Sequence, residues 1–172
     1  KMCLWAHGGE SRYVCVAAVH IVMEGYDSPD IRRVANGADL VVPDGMPLVW
    51  ALRRMGAAGQ ERVYGPELSL RLLAAAENGI PAGFLGSTPE TLALLVENAH
   101  QQFPGLKIAY AYSPPFGPVS PEEDEAIVKK INDSGAGILF VGLGCPKQEK
   151  WMAAHAGQLK VVMVGVGAAF DF

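Results

Sequence analysis

Hydrophobic positions fall into six short runs, separated by longer segments in which apolar residues recur at helical spacing. The short runs are compact and bounded by turn formers, which predicts β-strands at 13–19, 40–42, 82–86, 107–112, 137–142 and 160–165. The segments between them predict helices at 29–36, 46–56, 66–79, 89–103, 121–134 and 146–157. Strict alternation of this kind predicts an α/β fold with one Rossmann-like, doubly wound, mostly parallel sheet and helices on both faces.

Prolines and capping residues support the predicted helix starts. Six of the twelve prolines stand in an expected first turn, where a fixed φ and a missing N–H are tolerated. Ser87 with Glu90, and Ser120 with Glu123, also have the spacing of a capping box. We therefore expect Ser87 and Ser120 to be N-cap residues.

Composition indicates a single globular domain. The chain has 172 residues, 20 glycines and only 19% charged residues, which predicts a single domain over 1–172. A net charge of −4 gives no general attraction to nucleic acid, so no nucleic-acid partner is expected. The three widely spaced cysteines lack the spacing of a disulfide framework or a zinc site, which favours a reducing cytoplasm. No apolar run approaches the ~20 residues of a membrane helix, so any membrane contact is expected to be peripheral.

The segment 38–56 places one carboxylate, Asp44, in the turn between a buried strand and an amphipathic helix. In doubly wound sheets, ligands bind beyond the carboxyl ends of the strands, so this turn is a candidate site. Asp44 could be an acid or base directed into a cleft, or a turn former and helix cap. The local pattern leaves both alternatives open.

Glycine-rich turns follow three other predicted strands, at Gly86-Ser87, at Gly142 to Gly144, and at 165–171, which includes Asp171. A Gly-x-Gly turn leading into a helix lets backbone N–H groups approach a phosphate. The dinucleotide fingerprint fails, however, because Lys147 occupies the third glycine position, and a Walker loop is missing. Phosphate binding and tight strand-to-helix packing both remain explanations for these glycines.

Three further polar residues are candidates for substrate contact. Arg62 precedes a helix and could pair with a diphosphate leaving group or lie in solvent. Gln148 could donate to a phosphate or sugar oxygen, whereas its neighbours Lys147 and Glu149 fit either the same role or a solvated first turn. His20 follows the first strand and could serve in packing, capping or catalysis. The residues do not form a cluster with metal-ligand spacing, so we predict no metal site.

Four segments together resemble the WecG/TagA/CpsF glycosyltransferases, glycosyltransferase family 26. They are ADLVVPDGMPLVW at 38–50, ERVYGPEL at 61–68, FLGS at 84–87 and VGLGCPKQEKW at 141–151. The resemblance implies an inverting transfer from a UDP-sugar to a polyprenyl-diphosphate-linked sugar, without metal or cofactor. The sugar would be N-acetylmannosamine, its uronic acid or glucose. The implied setting is teichoic acid or surface polysaccharide synthesis, at the inner face of the bacterial cell membrane.

The resemblance also assigns roles to residues. The family's proposed catalytic aspartate matches Asp44, and its arginine and glutamine match Arg62 and Gln148. Asp44 would remove the acceptor's proton, while Arg62, Gln148 and the backbone of 142–144 would face the diphosphate. The predicted substrate-binding set is completed by Gly86, Ser87, Gly142, Gly144, Asp171 and His20.

The sequence departs from the family pattern at two places. Ala18 stands where the family's first strand normally ends in an asparagine. Relatives also continue into a basic, membrane-associating C-terminal appendage that we expect to be absent here. The alternatives are therefore a nucleotide-sugar-binding module with impaired catalysis and, on the same fold, a nucleotide-dependent oxidoreductase. A further hypothesis is that the chain forms a homo-oligomer through the face that the missing appendage would leave exposed.

Overall fold

A computed structural model describes residues 1–171 and, within them, all side chains except those of Ala168 and Asp171. Its sheet has six parallel strands in the order β2-β1-β6-β5-β3-β4. The strands are β1 Arg12–Ala17, β2 Leu40–Pro43, β3 Ala82–Gly86, β4 Ile108–Tyr112, β5 Ile138–Gly142 and β6 Val162–Gly165. This arrangement confirms the predicted α/β, Rossmann-like class.

Helices cover both faces of the sheet. They are α1 Met2–His7, α2 Val19–Asp27, α3 Pro29–Asn36, α4 Met46–Arg54, α5 Gly65–Ala76, α6 Pro89–Gln102, α7 Pro121–Ser134 and α8 Lys147–Ala154, followed by a 3-10 helix at Gly167–Asp171. The six predicted helices are present. Within residues 1–171 no helix is long and apolar enough to cross a bilayer.

Helix α2 is the main element that the sequence pattern did not predict. The first strand ends at Ala17, two residues earlier than expected, and Ala18 is the extended N-cap residue of α2. The outer face of α2 carries exposed Val22, Met23 and Tyr26. Because apolar side chains lie on this face as well as on the buried one, the segment is apolar overall and lacks the polar face that usually identifies a surface helix.

The two predicted capping boxes have different outcomes. Ser120 accepts a hydrogen bond from the Glu123 N–H at 3.2 Å, which confirms it as the N-cap of α7. The prediction for Ser87 was wrong, because Thr88 is the N-cap residue of α6 and accepts from the Thr91 N–H at 3.2 Å. The sharp turn after β3 gives Ser87 a left-handed backbone with φ of +61°, so the helix begins one residue later.

The core consists of one apolar layer on each face of the sheet. Stacked rings of Phe84 and Phe140, 5.4 Å apart, are the centre of the layer under α1, α5 and α6. On the opposite face, Leu139 and Met163 pack under α7 and α8. Both faces of the central strands are therefore covered, which explains their continuous apolar sequences. Each such large side chain contributes roughly 1.5–3 kcal/mol through burial.

Candidate functional site

A cavity of about 440 Å³ opens at the carboxyl edge of the sheet, where β1, β2 and β6 end. In the register of these strands Ala17 pairs with Pro43, and Cys15 pairs with Gly165. β1 and β2 therefore end at the same level, and β6 ends two residues earlier, opposite Cys15. Four of the predicted site residues border this cavity: Asp44, His20, Gly144 and Gln148.

Backbone hydrogen bonds fix the position of Asp44 at the cavity. Its N–H donates to the Ala17 carbonyl at 2.8 Å, which ties it to the end of β1. The Val63 N–H donates to the Pro43 carbonyl at 2.8 Å and brings the segment before α5 alongside. The N-cap residue of α4 is Gly45, and Asp44 does not cap that helix. The structure therefore excludes Asp44 as the cap of α4, whereas the roles of turn former and of acid or base both stay open.

Arg62 holds the Asp44 carboxylate from one side. Its Nη2 and Nε donate to Asp44 Oδ1 at 2.9 and 3.2 Å, and Nε also donates to the Asp44 carbonyl oxygen. Among the described residues, the other carboxylate oxygen, Oδ2, accepts only a long hydrogen bond of 3.3 Å, from the Gly65 N–H. The guanidinium lies 4.3 Å from the centre of the Tyr64 ring, a cation–π contact that restricts its movement.

This placement differs from the expectation that Arg62 faces a diphosphate. Two of its three guanidinium nitrogens contact Asp44, and Arg62 borders an adjacent shallow groove rather than the cavity itself. The contact with a diphosphate stays a prediction. The geometry shows directly that Arg62 orients the Asp44 carboxylate.

The first turn of α8 buries two polar side chains, Gln148 and Glu149, which are 3% and 2% exposed. Gln148 Nε2 donates to Glu149 Oε1 at 2.9 Å. Among the described residues, neither Gln148 Oε1 nor Glu149 Oε2 has a hydrogen-bond partner. Buried acceptors of this kind are rare in folded proteins. The solvated alternative is thus excluded for Glu149, whereas Lys147 is exposed and donates to the Gly117 carbonyl at 3.1 Å.

A signal in the sequence could have revealed that Glu149 is buried. Met152 is fully buried against the sheet, and Gln148 and Glu149 precede it by four and three residues. Residues with these separations share one face of a helix. The apolar contact of Met152 therefore brings both polar side chains to the inner face of α8.

Two cysteine thiols lie close to Glu149, and sequence reasoning assigned no role to either. Cys145 borders the cavity, and Cys15 is buried in β1. Burial, reinforced by the Glu149 carboxylate, raises the pKa of each thiol to about 12. Both are therefore neutral at physiological pH.

The structure places Gly86, Ser87 and Gly142 at the same sheet edge but away from the cavity lining. The Ser87 N–H donates to the Gly142 carbonyl at 3.1 Å, and a Cβ at Gly86 would overlap that carbonyl. Close packing of β3 against β5 therefore accounts for Gly86, whose φ is +126°. Substrate binding by these three residues stays a prediction.

The remaining predicted residues differ in their surroundings. His20 is an exposed residue of α2 with Nε2 3.1 Å from Glu24 Oε1. The Gly144 carbonyl accepts from the Gln148 N–H at 2.8 Å and connects the turn to α8. The Asp171 side chain lies outside the described part of the structure. Among the side chains that the structure describes, no three or more histidine, cysteine or acidic residues are arranged to hold a metal ion.

Two relatives and one family model match this chain. The chain is 29% identical over 161 residues to an N-acetylglucosaminyldiphosphoundecaprenol N-acetyl-beta-D-mannosaminyltransferase of Bacillus spizizenii, covering 92% of this chain and 61% of the relative. It is 32% identical over 141 residues to the protein of the same name in Staphylococcus aureus, covering 81% of this chain and 54% of the relative. The chain thus spans somewhat more than half the length of these relatives. Residues 1–172 match the model of one protein family, and the chain belongs to that family, the glycosyl transferase WecG/TagA/CpsF family.

Proposed function

We propose that this chain carries the active site of an inverting glycosyltransferase. It would move a sugar from a UDP-sugar to a hydroxyl of a polyprenyl-diphosphate-linked sugar, in synthesis of teichoic acid or another cell-surface polysaccharide. Family membership and the names of the two relatives support this proposal. The observation that carries it is the Asp44 carboxylate, which borders a cavity and is held on one side by Arg62.

In the proposed reaction Asp44 is the general base. Oδ2 is the oxygen available for this role, because Oδ1 is engaged by two nitrogens of Arg62. Oδ2 accepts the proton of the acceptor hydroxyl while the hydroxyl oxygen attacks the anomeric carbon. The bond between that carbon and the diphosphate oxygen breaks, and its electron pair leaves with UDP. A single in-line displacement inverts the anomeric configuration.

Transfer without a metal requires other groups to stabilise the departing diphosphate. We propose that backbone N–H groups of the turn containing Gly144, together with polar side chains at the cavity, supply this stabilisation. Arg62 would orient Asp44 and contribute positive charge from the adjacent groove. His20, exposed at the same cavity, is available to contact the acceptor.

The proposed place of action is the inner surface of the bacterial cell membrane. The names of both relatives include an undecaprenol-linked acceptor, which resides in a bilayer. A lipid-linked acceptor requires the cavity to approach that surface, so the protein would associate with the membrane peripherally.

A second candidate function is a nucleotide-sugar-binding module with impaired catalysis. Ala18 favours it, because this exposed residue borders the cavity at the position where the family normally carries asparagine. The cavity wall beside Asp44 therefore lacks one polar side chain. A protein that binds UDP-sugar but shows no transfer to any polyprenyl-linked acceptor would match this alternative.

Calorimetric titration tests the donor directly. The protein is titrated with UDP, UDP-N-acetylmannosamine and NAD in a buffer containing EDTA. We expect both uridine nucleotides to bind without a divalent ion and NAD to give no heat. Binding of NAD alone would favour the oxidoreductase, and UDP binding that needs a divalent ion would contradict metal-independent transfer.

A further inference from the structure

We propose that Glu149 is a positioning residue that fixes the amide of Gln148, so that its carbonyl oxygen accepts a hydrogen bond from the donor sugar. This inference rests on the proposed function and specifies how the sugar is recognised. It concerns two residues that are adjacent in sequence and both almost completely buried at the cavity.

The direction of the hydrogen bond between the two side chains follows from their chemistry. An ionised carboxylate has acceptors only, whereas a glutamine amide has one acceptor and two donor hydrogens. In the structure the Gln148 atom 2.9 Å from Glu149 Oε1 is Nε2, which is the arrangement that an ionised carboxylate requires. Nε2 keeps one further hydrogen, whereas Gln148 Oε1 is left for another partner.

That atom is buried and has no partner within the described residues. A buried acceptor without a hydrogen bond costs about 1–3 kcal/mol, so a site that contains one is prepared for an incoming donor. The cavity is bordered by both Gln148 and Gly167, and the amide end of Gln148 lies beside Gly167, with Oε1 and Nε2 each 3.7 Å from where a Cβ of that glycine would stand. A group that enters the cavity beside Gly167 is therefore placed to supply the missing donor.

Packing against β6 confines the amide nitrogen of Gln148. A Cβ at Gly165 would lie 3.3 Å from Gln148 Nε2 and 2.6 Å from Met152 Cε. The glycine leaves the space that Gln148 and Met152 fill. The amide is thus confined by the backbone of β6, by Met152 and by the carboxylate.

Orientation of the amide determines which part of the donor it can recognise. This differs from the expectation that Gln148 donates to a phosphate or sugar oxygen. A carbonyl oxygen repels phosphate oxygens. A sugar hydroxyl or an acetamido N–H supplies the hydrogen that the carbonyl needs. We therefore assign the carbonyl oxygen of Gln148 to the sugar and not to the diphosphate.

A double-mutant cycle tests this assignment. UDP and UDP-N-acetylmannosamine are titrated into the parental protein, Glu149→Gln, Gln148→Ala and the double variant. The readout is the ratio of the two dissociation constants. In Glu149→Gln the amide can turn over and lose the hydrogen bond between its carbonyl and the sugar. We therefore expect the dissociation constant of UDP-N-acetylmannosamine to rise about five- to tenfold relative to that of UDP, with UDP affinity unchanged. In the Gln148→Ala background, Glu149→Gln should have no further effect on the ratio.

Glu125→Gln, an exposed change of the same chemistry on α7, is the matched control. Equal weakening of UDP and UDP-N-acetylmannosamine, or additive effects in the double variant, would overturn the positioning role. If Glu149→Gln does not fold, Glu149→Asp is used instead, because its shorter side chain moves the carboxylate away from the Gln148 amide. The same selective loss of UDP-N-acetylmannosamine affinity is expected. Failure of the parental protein to bind either nucleotide would instead overturn the proposed function itself, and this inference with it.

Discussion

Arg62 donates through Nη2 and Nε to the same oxygen of Asp44, Oδ1, at 2.9 and 3.2 Å. The two residues are 18 positions apart and meet because the Val63 N–H bonds to the carbonyl of Pro43, the last residue of β2. The second oxygen, Oδ2, accepts a single hydrogen bond from the part of the chain that the structure describes, that of the Gly65 N–H at 3.3 Å. One arginine thus orients the carboxylate while leaving an oxygen for proton transfer.

Replacement of Arg62 should impair transfer more than nucleotide binding. Arg62→Ala removes both hydrogen bonds to Oδ1, and a misplaced base costs about 100-fold in rate. Arg62→Lys keeps the charge but loses the paired geometry, so we expect only slight recovery. Initial rates with UDP-N-acetylmannosamine and a polyprenyl-linked acceptor measure the effect. Arg33→Ala, which breaks an exposed ion pair on α3, is the control; parental rates for Arg62→Lys would contradict the orienting role.

Asparagine at position 18 should increase transfer. Ala18 borders the cavity and is exposed, so a longer polar side chain has space there. One additional hydrogen bond of about 1 kcal/mol corresponds to roughly a fivefold higher rate. The rate of Ala18→Asn is compared with that of Ala58→Asn, an exposed change away from the cavity. An unchanged or lower rate for Ala18→Asn would show that the missing asparagine does not limit activity.

Alanine at Gly86 should destabilise the fold. A Cβ there would overlap the Gly142 carbonyl, and the backbone φ of +126° is unfavourable for any residue except glycine. We expect a loss of about 2–5 kcal/mol in the free energy of unfolding, measured by urea denaturation. Gly59→Ala, which meets no atom within 4 Å, should be nearly neutral. Normal stability combined with weaker UDP binding would instead support the predicted binding role of Gly86.

Alkaline pH should unfold the protein partly through Cys15. Burial raises the pKa of this thiol from its ordinary value of 9.0 to about 12 in the folded protein. Between pH 9 and 12 the unfolded chain therefore binds fewer protons, so the free energy of unfolding falls as pH rises. Stability of Cys15→Ala, measured by urea denaturation at pH 8, 9 and 10, should fall less steeply than that of the parental protein. Identical slopes would contradict this contribution.

The fold was largely predictable because each strand and helix carries its own local signal. Proline at the first turn of α3, α4, α5, α6 and α7 marked their starts. The strand β6 was recognised from its apolar sequence, although its position beside β1 depends on long-range packing. Helix α2 was missed, because its exposed apolar side chains conceal the helical pattern.

The site was predictable only in part. The sequence identified Asp44 and Gln148 from the turns after β2 and β5, and the structure brings both to one cavity. The pairing of Arg62 with Asp44 was not predictable, because it depends on how the loop before α5 crosses the end of β2. Burial of Glu149 was concealed by its charge, since glutamate in a first helical turn is usually solvated.

The central claim is that Asp44 is the catalytic base, and transfer by Asp44→Asn tests it most directly. The change keeps size and shape and removes the ability to accept the proton. Radiolabelled N-acetylmannosamine transfer from its UDP donor to polyprenyl-diphosphate-N-acetylglucosamine is measured together with UDP affinity. We predict a rate loss of about 100- to 10,000-fold, with UDP affinity within about threefold of parental. Transfer by Asp44→Asn at a rate near that of the parental protein would contradict the account.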